Sequence, residues 1–216
     1  MLKRLIFSLI LIIFSVSFCF AYNPLITEDA KTVLQGNYLL DVFGGYSITN
    51  NRFDLAPSIE YGISDRVDFI GEFPSDLSQV FGMGIALKIL LYKDDFLAFS
   101  IRPYAGKSSL FLGHGSDDYK VNLSGSVNLG ALILYENFAY DFTHDSIFIS
   151  SAAEYIVSNG FAVTLNIGTK KLIGGDLFAI GGLMYAVTDK MDINFGVKCD
   201  FSGNNLSTIL GLEFKL

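Results

Sequence analysis

The feature that most constrains the fold is an alternation of apolar and polar residues that recurs along the chain after residue 36. It is clearest near the C-terminus, where apolar and polar side chains exchange places at every step from Met191 to Phe201. Successive side chains of a β-strand point to opposite faces, so such a stretch has one apolar and one polar face. A single strand of this kind fits a soluble sandwich as well as a membrane barrel.

The number of alternating stretches favours a barrel. Turn residues separate twelve predicted strands, near 37–46, 53–61, 67–73, 81–91, 97–105, 119–127, 131–140, 147–155, 161–167, 178–186, 191–201 and 206–216. Most of these have about the 9–11 residues that a tilted strand needs to cross a bilayer. An even number of strands places both termini at one end of a closed antiparallel barrel. The sequence therefore predicts an all-β fold, a transmembrane antiparallel β-barrel of about twelve strands.

The connections between these strands alternate in length. Short turns are predicted at 62–65, 93–95, 158–160 and 188–190, whereas residues 106–118 and 169–177 form longer links. Barrels of outer membranes have short periplasmic turns and longer extracellular loops. The pattern predicts that orientation here.

The first 21 residues are typical of a cleaved secretory signal peptide. Lys3 and Arg4 precede an apolar run that ends before Ala21, and we place cleavage before Tyr22. Cys19 allows an alternative in which a lipid is attached there, although the bulky Phe18 stands where a small residue is wanted. The predicted organisation is a leader at 1–21, a periplasmic N-terminal segment at 22–35 and an outer-membrane barrel at 36–216.

Composition excludes several other classes of protein. Apolar residues make up 51% of the chain, yet no segment after residue 21 approaches a membrane helix in length. Loss of two basic residues with the leader changes the formal charge from −7 to −9, which argues against nucleic-acid binding. Cys199 alone remains after cleavage, so no intramolecular disulfide is expected.

Two further patterns are typical of outer-membrane proteins. The period-two run of Leu210, Leu212, Phe214 and Leu216 resembles the C-terminal signal read by the outer-membrane insertion machinery, although it does not end in an aromatic residue. Tyrosines near predicted strand ends fit an aromatic belt at the lipid headgroups. They are Tyr38, Tyr46, Tyr61, Tyr135, Tyr140, Tyr155 and Tyr185.

If the apolar faces contact lipid, the charged residues of the strands point into the lumen. The predicted pore-lining set is Glu60, Asp68, Glu72, Lys88, Arg102, Lys198, Asp200 and Lys215, with Lys120, Glu154, Asp192 and Glu213 on the same face of their strands. These charges either solvate the interior of the barrel or form a constriction that selects permeants. The register of the seventh strand stays open, because either Glu136 or Asn137 must face lipid.

The segment before the first strand carries the run Thr27, Glu28, Asp29. A capping residue followed by acids predicts one turn of helix. The segment is either a free periplasmic tail or a plug that folds into the mouth of the barrel. In the second case we expect Glu28 and Asp29 to meet luminal cations such as Lys88 or Lys215.

Three stretches of the chain resemble a known family. Residues 24–32, Pro-Leu-Ile-Thr-Glu-Asp-Ala-Lys-Thr, are similar to the opening of the outer-membrane transporters labelled as a putative MetA-pathway of phenol degradation. Residues 61–68 and 137–140 are also similar to that family. The resemblance implies a barrel that passes small, often aromatic or apolar, molecules and offers no catalytic residue.

The sequence thus predicts a narrow channel or transporter for small molecules, in contact with outer-membrane lipid, without cofactor, metal or enzymatic reaction. Two alternatives stay open. One is an outer-membrane lipid hydrolase in which His144 is a general base for Ser146, with Glu154 as a third member only if it lies nearby. The other is a structural or adhesive barrel that carries no flux.

Overall fold

The computed structural model describes residues 29–75, 82–107, 117–169, 177–201 and 205–216. Their regular structure is twelve strands: β1 (Tyr38–Ser47), β2 (Arg52–Ser64), β3 (Val67–Glu72), β4 (Gly84–Lys93), β5 (Leu97–Lys107), β6 (Asp117–Asn128), β7 (Leu132–Asp141), β8 (Ser146–Ser158), β9 (Phe161–Thr169), β10 (Leu177–Thr188), β11 (Met191–Asp200) and β12 (Asn205–Lys215).

Every strand pairs antiparallel with its neighbours in sequence, and β12 pairs with β1 to close the sheet. Closure removes the free edges that a membrane-spanning sheet cannot tolerate, because lipid offers no hydrogen bonds to them. The predicted twelve-stranded antiparallel barrel is confirmed. A search of the described segments for helices finds none that is both long and apolar enough to traverse a bilayer.

The two faces of the barrel wall differ in polarity. Large apolar side chains such as Phe69, Leu165 and Phe195 are exposed on the outside. Polar side chains such as Asp68 and Asn166 are buried inside, with 0% and 1% of their surface accessible. A soluble protein has the opposite arrangement, so this wall fits a hydrocarbon surround and a polar interior.

The start of β1 and the end of β12 lie at the same end of the barrel. The backbone N–H of Tyr38 donates to the Leu216 carbonyl oxygen at 2.9 Å, and the N–H of Leu216 donates to the Tyr38 carbonyl at 2.9 Å. The short β2–β3, β4–β5, β6–β7, β8–β9 and β10–β11 turns lie here, and we call it the terminal end. The opposite end, called the loop end, carries the connections whose residues 108–116 and 170–176 lie outside the described residues.

The register of β7 is resolved by side-chain pairing in the interior. Asn137 is buried and accepts a hydrogen bond from the Ser124 hydroxyl at 2.7 Å. Glu136 therefore faces outward, where it accepts a hydrogen bond from Ser151. Tyr135 also points inward and donates to Glu154 at 2.7 Å, so its assignment to the aromatic belt was wrong.

The predicted signal peptide, Thr27 and Glu28 lie outside the described residues. The helical turn predicted there does not extend into the described part, since residues 29–34 have no regular secondary structure. Instead, the Asp29 carboxylate accepts from the backbone N–H of Lys31 at 3.0 Å, which fixes a bend.

Candidate functional site

The lumen carries its densest charge on the inner faces of β2, β3 and β4 near the terminal end. The Lys88 ammonium donates to the Glu60 carboxylate at 2.6 Å, and both side chains are buried. Asp68 lies directly opposite Lys88 in the β3–β4 register and is fully buried. The Lys88 cation thus lies beside two predicted pore-lining carboxylates. Pairing of opposite charges offsets part of the cost of burying these three side chains.

A second charged cluster lies on the inner face nearer the loop end. The Arg102 guanidinium is paired with Glu72 and also lies 6.0 Å from the centre of the Tyr104 ring. Lys120, on the next strand, lies 3.9 Å from Asp141. This cluster places two cations on one side of the interior.

The remaining predicted cations lie on β11 and β12. Lys215 contacts Asp192 at 2.5 Å and Glu213 at 3.4 Å, and its half-exposed side chain belongs to the terminal mouth. Lys198 lies 3.8 Å from Asp200, and its ammonium stands 4.8 Å from the Phe178 ring centre. All eight predicted pore-lining residues thus occupy inward positions, but in four separate groups and not in one ring.

The described interior has more carboxylates than cations. The inward acids are Asp41, Asp54, Glu60, Asp68, Glu72, Asp141, Glu154, Asp192, Asp200 and Glu213. The inward bases are Arg52, Lys88, Arg102, Lys120, Lys198 and Lys215. The described inner wall therefore carries an excess of carboxylates over cations.

Uncharged polar side chains also face the interior from β8, β9 and β11. Ser150, Thr164, Asn166 and Asn194 are buried there and point inward. Sequence reasoning concentrated on charges and missed this group. The signal was available, because Thr164 and Asn166 alternate with the apolar Val163, Leu165 and Ile167.

An apolar cluster lies inside the barrel, towards the loop end. It consists of Phe43, Phe178, Ile180 and Ile209. The Phe43 ring lies over Gly211, where a Cβ atom would come within 2.2 Å of it. The sequence did not predict this cluster. Its members are apolar, and only charged residues were assigned to the lumen.

Residues 29–35 run inside the terminal end of the barrel. The backbone N–H of Val33 donates to the Asp68 carboxylate at 2.9 Å, and Lys88 donates to the Lys31 carbonyl oxygen at 3.1 Å. Thr32 donates its hydroxyl hydrogen to the Asp65 carbonyl at 2.9 Å. The lysine predicted to meet Asp29 thus binds the backbone of the segment instead.

The far end of this segment reaches the other side of the mouth. Asp29 accepts a hydrogen bond from Ser126 on β6 at 3.3 Å. Ala30 has no accessible surface and packs with Leu90 of β4 and Ala98 of β5. The segment therefore crosses the inner wall from β2 to β6.

The candidate hydrolase residues lie at the loop end. Asp141 accepts from the backbone N–H of His144 at 3.1 Å, and its other oxygen lies 3.0 Å from His144 Nδ1. Glu154 is eight residues beyond Ser146 on β8, a distance of about 26 Å at the usual strand rise. Glu154 is thus too far away to orient His144. In the described segments, no three His, Cys, Asp or Glu residues are arranged to hold a metal ion.

Known proteins are similar to this chain in structure but not in sequence. The sequence matches no family model and no curated protein. The KdgM porin, solved in complex with disordered oligogalacturonate, superposes with a TM-score of 0.70 at 12% identity, over 82% of this chain and 98% of that one. The NanC porin gives 0.62 at 15% identity, over 82% and 100% of the two chains.

Outer membrane protein Omp33 of Acinetobacter baumannii gives a TM-score of 0.59 at 10% identity, over 85% of this chain and 99% of that one. At such low identity these similarities show the fold alone, a closed antiparallel barrel like those of the outer-membrane porins. The phenol-degradation label implied by the sequence resemblance is not supported.

Proposed function

We propose that this chain is a narrow outer-membrane channel for small hydrophilic solutes. The observation that carries the proposal is a closed barrel whose outer wall is apolar and whose interior is lined with buried polar and charged side chains. Side chains already fill the interior of an eight-stranded barrel, so twelve strands leave a wider interior.

The charge of the lumen supports a preference for cationic and neutral solutes over anions. Carboxylates exceed cations along the described inner wall. The KdgM porin was solved with oligogalacturonate, a polyanion. A negative lumen repels such a solute, so we do not expect oligogalacturonate to pass through this channel.

The N-terminal segment acts in this proposal as a plug at the periplasmic mouth. Its support is the set of bonds between Lys31, Thr32 or Val33 and the inner wall, together with the buried Ala30. Backbone groups in a mouth shielded from water gain more from charged partners such as Lys88 and Asp68 than they would at an open surface. The plug would leave only a small cross-section for solutes.

Solute flux into liposomes tests the proposed function. Purified protein, inserted into vesicles and shown to be folded by its heat-dependent gel mobility, should admit glycerol and small cations faster than empty vesicles do. Vesicles with heat-unfolded protein are the control for leakage. Folded protein that leaves the vesicles as impermeable as empty ones would contradict a channel and favour a structural barrel.

A further inference from the structure

The interior of the terminal end binds residues 30–33 through two side chains of opposite charge. Lys88 and Asp68 lie directly opposite each other in the β3–β4 register. Lys88 Nζ donates to the Lys31 carbonyl oxygen at 3.1 Å, and Asp68 Oδ2 accepts from the Val33 N–H at 2.9 Å. The bound groups are thus the carbonyl of one residue and the N–H of the second residue after it.

Both contacts are made to the peptide backbone and not to side chains. Every residue has a carbonyl oxygen, and every residue except proline has an N–H, so the two charges recognise a peptide of almost any sequence at these positions. Hydrogen bonds with an ionised partner are stronger than those between neutral groups. The Lys31 side chain itself is 41% accessible, so the wall does not enclose it.

Selectivity comes from the position that precedes the bound carbonyl. Ala30 has no accessible surface and packs with Leu90 of β4 and Ala98 of β5. A larger side chain there would displace these neighbours, which a closely packed site resists. Two positions on, the Thr32 hydroxyl donates to the Asp65 carbonyl oxygen at 2.9 Å. The preferred sequence is therefore a small residue, any residue, and then serine or threonine.

The contacts of residues 30–33 with the wall are noncovalent, so a separate peptide can form the same hydrogen bonds and the same packing. The connection to β1 gives the chain's own segment an effective concentration on the order of millimolar, as a short tether does. This segment therefore occupies the site at rest, and a separate peptide has to compete with it.

We propose that the terminal end contains a binding site for short peptides, formed by Asp68, Lys88, Leu90 and Ala98 and occupied at rest by residues 30–33. We call these four residues the peptide clamp. The inference rests on the plug of the proposed function and assigns a ligand class to the place where the plug binds. A peptide that takes this place releases the segment, so the opening of the mouth responds to peptide.

Binding of a labelled peptide to a protein with an empty clamp tests the proposal. Ala30→Asp places a carboxylate against Leu90 and Ala98, which should expel the segment and leave the clamp intact. A variant that lacks residues 29–33 leaves the clamp empty in any case and should give the same result. The probe is fluorescein-labelled Asp-Ala-Lys-Thr-Val amide, the sequence of residues 29–33, and its anisotropy is measured with folded protein in detergent. It should bind both variants saturably and the wild type at least about tenfold more weakly, because the tethered segment competes.

A second peptide isolates the contact with Asp68. N-methylation of its valine removes the N–H that Asp68 accepts and should weaken binding to Ala30→Asp at least about tenfold. When Ala30→Asp is combined with Asp68→Ala, the two peptides should bind equally, since the partner of that N–H is gone. The matched control combines Ala30→Asp with Asp189→Ala, which removes a carboxylate from the β10–β11 turn at the same end and should keep the difference.

The outcomes separate the two proposals. Saturable binding with the tenfold difference supports the clamp even when planar bilayers show no current, a result that overturns only the channel. Absence of saturable binding to both emptied variants, each folded by its gel mobility, overturns the clamp whether or not current is observed. A difference between the two peptides that persists in the Asp68→Ala background also overturns it, because the methyl group would then act by its bulk.

Discussion

Gly62 lies so close to Leu34 that a Cβ atom at Gly62 would stand 2.4 Å from the Leu34 carbonyl oxygen. Backbone hydrogen bonds also join the segment to this position. The Gly36 N–H donates to the Gly62 carbonyl oxygen at 2.9 Å, and the Gly62 N–H donates to the Asn37 carbonyl oxygen at 3.1 Å. The N-terminal segment can enter the barrel here only because position 62 has no side chain.

Replacing Gly62 with alanine should therefore expel the segment from the mouth. The added methyl group meets backbone atoms, which cannot rotate away as a flexible side chain would. Trypsin should then cleave after Lys31 at least about tenfold faster than in the wild type, because cleavage follows the population of the released segment. Mass spectrometry of the N-terminal fragment measures the rate.

The matched control is Gly181→Ala, at a strand glycine where a Cβ would meet nothing within 4 Å. This variant should keep the wild-type cleavage rate. Equal protection of Lys31 in the Gly62→Ala protein would show that the segment is not held by this contact.

Lys88 should be required for a narrow mouth. Lys88→Met removes the donor to the Lys31 carbonyl and the cation beside Glu60 and Asp68. We expect larger conductance and a stronger preference for cations, because the segment loosens and the local charge becomes more negative. Lys93→Met, at the exposed end of the same strand, should change neither property. Conductance and reversal potential in planar bilayers measure both, and smaller currents in Lys88→Met would contradict the assignment.

Arg102 should set charge preference nearer the loop end. Arg102→Glu replaces the partner of Glu72 with a second carboxylate in a confined part of the lumen. The ratio of K⁺ to Cl⁻ permeability should rise a few-fold, measured as a reversal potential across a salt gradient. Lys190→Glu makes the same charge change in the β10–β11 turn and should leave the ratio near the wild-type value. An unchanged ratio in Arg102→Glu would remove this residue from the ion path.

The register of β7 predicts opposite effects of two adjacent substitutions. Glu136 faces the surrounding lipid, so Glu136→Leu should stabilise the folded barrel by about 1–2 kcal/mol in vesicles. Asn137→Leu should destabilise it by about 1–3 kcal/mol, since Ser124 and Asn122 both donate to the Asn137 side chain. Urea unfolding followed by gel mobility gives both values. The reverse pattern would mean that the register is shifted by one residue.

The strands of the barrel wall could be predicted from the sequence because the alternation of side chains between the two faces of a strand is a local property. In β11, alternate residues from Asp192 to Asp200 face inward as the polar pattern predicts. The seventh strand shows the limit of that rule. Tyr135, Glu136 and Asn137 are three consecutive polar residues, and only the partners Glu154, Ser151 and Ser124 on neighbouring strands decide which face each takes.

Contacts between distant segments could not be predicted from patterns of charge. The acids of the N-terminal segment suggested ion pairs with Lys88, whereas backbone groups of Lys31 and Val33 form the contacts there. Every residue carries such backbone groups, so they leave no sequence signal.

Single-channel recording of the purified barrel, with and without residues 29–33, tests the central claim most directly. We expect discrete, cation-preferring current steps from the folded protein and larger steps once these residues are deleted, because the bonds to Asp68 and Lys88 no longer hold a segment in the mouth. Bilayers that stay silent with both proteins, although each is folded and inserted, would contradict a conducting lumen.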